Sequence, residues 1–384
     1  MQLQSFLYSG KTQQWSVDML PALDSPNTLV LVFAAPHYKQ TEAPIQALLK
    51  QYPHSIVMGC STAGEIAGKR VRDDSISVAV MKFEKTPLKS LSIDLGNGID
   101  SLQAGQAIAA GLDAHDLRGI FVLSDGLKIN GSELAKGLNS LKTKGVVITG
   151  GLAGDGSDFK NTWTLLNGQC NTGFVVAVGF YGDAIRLGHG SKGGWDIFGV
   201  ERRITRAKNN VLYELDNKPA LALYKEYLGE KASELPASGL LFPLAIRKDN
   251  TDKNQLVRTI LAVNEAEQSL TFAGDMPQGH LAQLMRANFD RLIGGATEAS
   301  QLTYDRSSSS EKSDSPVLLV AVSCVGRKLL LGERIEEETE STLELFPKGT
   351  QQVGFYSYGE LSPYATGHCD LHNQTMTLTS IGEE

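Results

Sequence analysis

The sequence predicts an α/β protein with two domains of mixed sheets, built from β-α-β units and an antiparallel section. Three stretches repeat one order: an apolar run, a polar turn, a helix-length segment, a second apolar run, and a glycine-rich turn that carries an acidic residue. Short runs separated only by turns follow one another between residues 149 and 213. At 384 residues the chain is long for one hydrophobic core, so we expect two domains.

The three repeated stretches are predicted to be right-handed β-α-β crossovers. Their strand runs are apolar throughout, which is typical of parallel strands that are buried on both faces. The copies run from Thr28 to Glu65, from Gly119 to Asp155 and from Pro316 to Glu360. Ligands bind beyond the carboxyl ends of strands in open α/β sheets, so the glycine-rich turns predict the walls of a ligand cleft.

Outside the three repeats, the sequence predicts antiparallel strands, a domain boundary, further helices and strands, and one linker. The short runs between residues 149 and 213 are typical of antiparallel strands. A domain boundary is placed after residue 215, which gives domains 28–215 and 216–380. The elements predicted beyond it are a helix at Ala220–Leu228 that follows Pro219, β runs at Leu240–Arg247 and Leu256–Val263, a helix from about Gly279 to Ile293, and a solvated linker at Ser307–Ser315.

Composition excludes several classes of protein. The 36 basic and 43 acidic residues give a net charge of -7 without a dense basic cluster, so nucleic acid is not expected as a partner. No apolar run reaches the length of a membrane span, and the first fifteen residues lack the regions of a secretory signal. We expect a cytoplasmic protein without a membrane partner. The cysteines are scattered and expected to be free thiols: Cys60, Cys170, Cys324 and Cys369.

The turn Gly59–Glu65 (GCSTAGE) follows a predicted strand. Its glycines permit backbone conformations in which amide N–H groups face an anion such as a carboxylate. It is equally compatible with a tight strand-to-helix turn in which Ser61 or Thr62 is the N-cap. Both interpretations stay open at this point.

Enzymatic motifs are incomplete, and we do not expect an enzyme. A nucleophile elbow needs G-x-S-x-G, but Ala63 stands where the second glycine is required. The glycine-rich run Gly150–Gly156 lacks the Gly-Lys-Ser/Thr ending of a P-loop. A hydrolase or transferase that uses Ser61 or Cys60 is the least favoured hypothesis, because no base is identifiable beside them.

The segment Gly188–Trp195 (GHGSKGGW) places His189 among glycines, which would let a flat ligand approach the imidazole. Nearby aromatic and basic side chains would supply a wall and partners for ligand carboxylates, a combination that suits haem. These side chains are Trp195, Phe198, Arg202, Arg203 and Arg206. The alternative is a solvent-exposed turn histidine with arginines on a wet strand face.

A second group of metal-binding residue types lies near the C terminus. His368, Cys369 and His372 are second choices for an axial haem ligand, and zinc is disfavoured because no further ligands are visible at suitable spacing. Four acidic residues end the repeated units and either converge as acid-base groups or hold turns and cap helices. They are Glu65, Asp125, Asp155 and Glu360.

Six ordered motifs together resemble the FIST sensory proteins. The motifs are GCSTAGEI (59–66), GGLAGDG (150–156), NVLYELDNKPA (210–220), SCVGRKLLLG (323–332), GFYSYGEL (354–361) and LHNQTM (371–376). The resemblance covers about residues 28 to 380 and implies an N-terminal FIST domain followed by a C-terminal one. It also implies a prokaryotic signal-input module for small ligands.

Within that family, GHGSKGGWDIFG (188–199) resembles the branch that binds haem and senses nitric oxide. That resemblance implies haem b, His189 as the iron ligand, and a histidine kinase as the regulated partner. The alternative is a haem-free sensor of a metabolite such as an amino acid, bound between the domains. Its expected cleft residues are Gly59, Cys60, Ser61, Thr62, Gly64, Glu65, Gly154, Asp155, Tyr356, Tyr358 and Glu360.

Overall fold

A computed structural model describes residues 1–39, 42–252, 255–307, 317–363 and 367–384. Pro316 and all but the first residue of the predicted linker Ser307–Ser315 lie outside the described residues. The elements up to residue 152 are β1 (Gln2–Ser9), β2 (Gln14–Trp15), β3 (Thr28–Ala34), α1 (Ala43–Gln51), β4 (Ile56–Ser61), β5 (Glu65–Ala67), β6 (Arg70–Arg72), β7 (Ser75–Lys82), β8 (Leu88–Asp94), α2 (Ser101–Leu112), β9 (Leu117–Ser124), α3 (Gly131–Leu138) and β10 (Val147–Leu152).

The remaining elements are mostly short strands as far as residue 286 and then mix helices with strands. They are β11 (Thr164–Leu166), β12 (Gln169–Asn171), β13 (Phe174–Tyr181), β14 (Ile185–Lys192), β15 (Asp196–Ile197), β16 (Arg202–Lys208), β17 (Val211–Leu215), β18 (Lys218–Pro219), α4 (Ala220–Leu228), β19 (Leu244–Arg247), β20 (Leu256–Arg258), β21 (Ile260–Asn264), β22 (Ser269–Phe272), β23 (Leu281–Arg286), α5 (Phe289–Ser307), β24 (Leu318–Cys324), α6 (Val325–Leu331), α7 (Ile335–Ser341), β25 (Gln351–Ser357), β26 (Gly359–Pro363), β27 (Cys369–His372) and β28 (Met376–Glu383).

The β-α-β arrangement of the three predicted crossovers is confirmed. β3 and β4 pair in parallel around α1, β9 and β10 around α3, and β24 and β25 around α6 and α7. β3 and β24 are buried along their whole length, as parallel strands covered on both faces should be. The predicted antiparallel section is also present, since β11 to β17 pair only antiparallel with their neighbours.

Strands from the two ends of the chain share sheets. Sheet 1 has the order β12-β11-β4-β3-β7-β1-β2, sheet 2 the order β27-β26-β10-β9-β13-β8, and sheet 3 the order β14-β28-β24-β25-β5-β6. The third crossover therefore completes sheets that begin in the first half of the chain. Apolar side chains of all three sheets form one core, in which Phe33 stacks on Phe355 at 4.8 Å between ring centroids.

Sheet 4 contains the remaining strands and curls until its two ends meet. Its order is β20-β19-β23-β16-β17-β22-β21, with β15 on β23 and β18 on β17. The end strands β20 and β21 are consecutive in the chain and are separated only by Thr259. α4 packs with the strands of this sheet in one apolar cluster, and its bounds are those predicted. Thr259 thus stands at a corner of the curled sheet.

One predicted helix is wrong. Residues 281–286 form strand β23, and the helix that follows starts only at Phe289. Leu281, Leu284 and Met285 are spaced for one helix face, but β23 pairs with β15, β16 and β19. These long-range pairs, which the local spacing does not report, decide the conformation. No helix in the described part of the chain combines the length and the apolarity needed to cross a membrane.

Candidate functional site

The three glycine-rich turns meet, as their common position in the repeats predicted. Ala63 N donates to the Tyr356 carbonyl and Tyr356 N to the Gly64 carbonyl, both at 2.8 Å. Gly154 N donates to the Ser61 carbonyl at 3.0 Å. A Cβ on Gly154 would lie 2.9 Å from Ala63 N, so the turns pack backbone to backbone. The three turns are joined to one another by main-chain hydrogen bonds.

The acidic residues of the first two turns hold local structure. The Glu65 carboxylate accepts from the Thr62 hydroxyl and from Ser75 N and Oγ, at 3.1 and 2.6 Å for Ser75. Burial raises the pKa of Glu65 to about 7. Asp155 accepts from three successive backbone N–H groups at residues 159–161 and from the Tyr358 hydroxyl. Although its burial acts in the opposite direction, these bonds lower the pKa of Asp155.

The turn after β4 leads into strand β5, so the predicted strand-to-helix turn with an N-cap is wrong. Gly64 N donates to Thr62 Oγ1 at 3.2 Å, which closes a side-chain turn between two strands. Ser61 Oγ accepts from Trp163 N at 3.0 Å. Burial raises the pKa of the Cys60 thiol well above its usual value. Both candidate nucleophiles are thus enclosed by the sheet.

A larger set of buried polar side chains lies on β26, at the end of β27 and in the residues that follow it, and at Thr259 next to β20. We call this set the polar junction, and its members are Thr259, Glu360, Ser362, His372, Asn373, Gln374 and Thr375. β26 packs against β14, β24 and β28 of sheet 3, and β20 of sheet 4 packs against β27. Arg258, next to Thr259, donates from Nη1 to the Leu371 carbonyl at 3.0 Å. The polar junction therefore joins sheets 2, 3 and 4.

Four oxygens of the polar junction lack a hydrogen-bond partner within the described structure. They are Thr259 Oγ1, Ser362 Oγ, Asn373 Oδ1 and Gln374 Oε1. The four residues are at most 4% exposed. Among the described residues, Arg202 Nε is the one other buried side-chain nitrogen or oxygen without a hydrogen-bond partner. An unsatisfied buried polar group costs roughly 1–3 kcal/mol, so these four oxygens are a strong indication of missing partners.

The ionisable groups of the polar junction are strongly affected by burial. Glu360 accepts from Ser357 Oγ at 2.7 Å and from Thr375 N and Oγ1 at 3.2 and 2.9 Å, and burial raises its pKa to about 8. Burial lowers the pKa of His372, whose Nε2 donates to the Ser362 carbonyl at 3.2 Å. Both groups thus favour their uncharged forms, and the polar junction is polar without carrying a large fixed charge.

Arg327 joins the polar junction to the helices on the other face of sheet 3. Its guanidinium is fully buried and pairs with Glu338 of α7. It also donates to three main-chain carbonyls, of Gly193, Leu292 and Gln374. Ser323 and Tyr356 hydroxyls donate to the other Glu338 oxygen at 3.1 and 2.8 Å. One side chain thus contacts the Gln374 main chain, α5 and α7.

His189 lies in the middle of β14 and is half-buried. A Cβ on Gly190 would lie 2.2 Å from the Ala299 carbonyl of α5, so Gly190 faces that helix. Successive strand residues alternate between faces, and His189 consequently faces sheet 2, where β26 packs on β14. Ser191 shares this face and bonds to Thr377 at 2.8 Å. His189 therefore belongs to the same inter-sheet layer as the polar junction.

Four of the other five residues predicted to bind haem lie with sheet 4. Trp195 is buried and donates from Nε1 to the Gln374 carbonyl at 2.8 Å, whereas Phe198 packs on the core of sheet 4. The three arginines are on β16 of sheet 4, where each already has partners. Arg202 bonds to Asp216 and Tyr227, Arg203 to the Gly279 carbonyl, and Arg206 to Glu214.

The C-terminal metal-binding residue types are also separated. His368 is exposed, whereas Cys369 is buried in β27 and burial raises its thiol pKa. His372, at the other end of β27, belongs to the polar junction. Within the described residues, no three side chains of His, Cys, Asp or Glu come together as a metal-ligand set.

Sequence reasoning missed most of the polar junction. Glu360 was among the predicted cleft residues, but Ser362, Asn373 and Gln374 resembled ordinary surface residues. One signal was available: the run of polar residues at 372–375 stands between apolar strands and falls in the LHNQTM motif. The role of Arg327 was equally hidden in the motif SCVGRKLLLG.

Comparison with known protein families finds matches over most of the chain. Residues 28–218 match the FIST N domain and residues 220–363 match the FIST C domain. An uncharacterised protein of Methanocaldococcus jannaschii is 24% identical over 341 residues, which cover 81% of this chain and 62% of the relative. Uncharacterised proteins from two strains of Mycobacterium tuberculosis are 24% identical over 362 residues, with 92% and 91% coverage of the two chains. The chain spans less than two thirds of the length of the first of these relatives.

Proposed function

We propose that this chain, which belongs to the FIST family of signal-transduction sensors, binds a small polar ligand at the polar junction and reports it to a separate output protein. The observation that carries the proposal is the group of four buried oxygens without a partner in the described structure. A ligand that bonds to them would recover the free energy that they otherwise cost. Its position between three sheets would let it act on both halves of the chain.

Signal transmission is proposed to run through Arg327. The Gln374 carbonyl accepts from Arg327, whose other bonds reach Glu338 of α7 and the Leu292 carbonyl of α5. A ligand bonded to the Gln374 side chain would favour one position of the segment between β27 and β28 over another. Two positions of α5 and α7 would then bind the output protein with different affinity, and that difference is the signal. A coupling free energy of about 1–3 kcal/mol changes partner affinity about 5- to 150-fold.

Haem b with nitric oxide as the sensed gas is the second candidate, and a histidine kinase is the output protein that we propose in both cases. The observation that favours haem is the position of His189, which faces the inter-sheet layer rather than solvent. Four of the six predicted haem contacts lie with sheet 4, namely Phe198 and the three arginines, and Trp195 is bonded to the Gln374 carbonyl.

A thermal-shift screen of small polar metabolites tests the main proposal. We expect at least one compound to raise the melting temperature of the purified chain, because a ligand that binds only the folded state stabilises it. The shift should fall in Ser362→Ala, which removes one unpartnered oxygen, and persist in Ser300→Ala, whose hydroxyl bonds to the Thr342 carbonyl at 2.7 Å. No stabilising compound, or equal shifts in both variants, would overturn the proposal.

Reconstitution with haemin separates the second candidate from the first. A stoichiometric Soret band that shifts on reduction and exposure to nitric oxide would support haem, and its absence would exclude it. His189→Ala should abolish the band, whereas the control His115→Ala removes an imidazole with 96% side-chain exposure and should keep it. Autophosphorylation of a candidate histidine kinase, measured with and without the liganded chain, then tests the output.

A further inference from the structure

We infer that the ligand of the polar junction is rich in hydrogen-bond donors: a small amine, amide or guanidine whose N–H groups bond to Asn373 and Gln374. This inference rests on the proposed function and adds the chemical class of the ligand. Amide oxygens can only accept hydrogen bonds, so partners for Asn373 Oδ1 and Gln374 Oε1 must be donors. The other two unpartnered atoms are hydroxyls, which accept as readily as they donate.

The orientation of both amides is fixed by their nitrogens. Asn373 Nδ2 donates to the His372 carbonyl at 3.1 Å, and Gln374 Nε2 donates to the Leu240 carbonyl at 3.4 Å. Rotation of either amide by half a turn would place its oxygen against a carbonyl oxygen. One N–H of each amide is therefore bonded within the protein, whereas both amide oxygens are left for a ligand.

Close packing also holds Gln374 in place. A Cβ on Gly326, at the start of α6, would lie 2.5 Å from Gln374 Nε2 and 2.8 Å from Oε1. The glycine thus allows the amide to lie directly against the helix backbone. An acceptor that is fixed by packing selects a donor at one position, which is how a site distinguishes ligands that differ by a single N–H group.

The charged groups around the polar junction favour a donor ligand over an anion. Both buried arginines bond to main-chain carbonyls: Arg327 to those of Gly193, Leu292 and Gln374, besides Glu338, and Arg258 to those of Leu371 and Asp275. Glu360 is engaged within the protein, because its carboxyl already accepts from Ser357 Oγ and from Thr375 N and Oγ1. Acceptors thus dominate the side chains that remain for a ligand.

Matched pairs of probes test the donor requirement in the full chain. Putrescine, agmatine and γ-aminobutyrate carry N–H groups, whereas adipate, succinate and glutarate have chains of similar length without them. We expect isothermal titration calorimetry to detect binding of at least one compound of the first set and of none of the second. Binding of the second set alone would overturn the donor inference and leave the sensor proposal standing. Failure of both sets would also overturn the inference, while the wider metabolite screen decides the sensor proposal separately.

Two variants locate the binding. Thr259→Val and Ser362→Ala each remove a hydroxyl without a partner in the described structure, and each should weaken the donor probe about five- to tenfold. Ser300→Ala, whose hydroxyl bonds to Thr342 away from the polar junction, is the matched control and should leave the affinity unchanged. Donor probes that bind the wild type and all three variants equally would contradict the inference, because the binding would then lie elsewhere.

Discussion

Arg327 and Glu338 form an ion pair from which solvent is excluded. Both side chains are 0% exposed, and Arg327 Nε lies 2.6 Å from Glu338 Oε1. The pair stands between the polar junction and helices α5 and α7. Breaking a buried pair leaves one charge without compensation, which costs far more than the net contribution of the intact pair.

Arg327→Met should therefore lower the free energy of unfolding by about 3–5 kcal/mol. The double variant Arg327→Met/Glu338→Leu should recover part of that loss, since it removes the stranded carboxylate as well. Urea denaturation followed by circular dichroism measures both. Arg334→Met, which removes a surface pair with Glu337, is the control and should differ little from wild type. A loss in Arg327→Met no larger than in this control would contradict the assignment.

Removal of an unpartnered hydroxyl should not destabilise the free protein. Thr259→Val is expected to leave the free energy of unfolding unchanged or to raise it, since no hydrogen bond of Thr259 Oγ1 is lost in the described structure. Thr28→Val is the contrast: Thr28 Oγ1 donates to the Leu23 carbonyl at 2.6 Å, and its loss should cost roughly 1–2 kcal/mol. Equal costs in the two variants, measured by the same urea titration, would show that Thr259 does have a partner.

The stability of the protein should depend on pH through Glu360. Its pKa rises from an ordinary value of 4.5 to about 8 in the folded state. Between these values the folded carboxyl keeps a proton that the unfolded chain releases, so this contribution is complete below about 4.5 and is lost as the pH rises to about 8.

Glu360→Gln removes that titration. As the pH is raised from 5 to 8, the urea midpoint of the wild type should fall relative to that of Glu360→Gln. Glu230→Gln changes an exposed carboxylate and serves as the control for the net change in charge. A difference that stays constant over this range would mean that the Glu360 pKa is not raised.

Gly326→Ala should weaken ligand binding with little effect on folding. A Cβ at this position meets the end of the Gln374 side chain, which can shift at low cost but not without moving Oε1. Gly294→Ala is the control, because a Cβ at Gly294 of α5 meets nothing within 4 Å. For any compound that stabilises the wild type, the thermal shift should be reduced in Gly326→Ala and retained in Gly294→Ala. Retention of the full shift in both would argue that Gln374 does not contact the ligand.

Much of the fold follows from local sequence, and most of the ligand site does not. The three crossovers could be predicted because strands such as β3 are buried on both faces and therefore contain an unbroken apolar run. The strand β23 could not, because Leu281, Leu284 and Met285 fit a helix face equally well and only distant strands decide between the two.

The polar junction depends entirely on pairing between distant parts of the chain. Gln374 comes just before β28, which pairs with β14 nearly two hundred residues earlier in the chain, and its amide donates to the distant Leu240 carbonyl. His189 was identified from its glycine neighbours, but its alignment with β26 follows from the contact between two sheets. Local patterns report which residues are polar, whereas only tertiary structure reports which polar atoms lack a partner.

A crystal structure of the chain grown with a stabilising metabolite tests the central claim most directly. The account predicts electron density for that compound within hydrogen-bond distance of Gln374 Oε1 and Asn373 Oδ1, with donor groups on both oxygens. Density for the compound elsewhere, with these oxygens bonded only to ordered water or to protein groups, would contradict it.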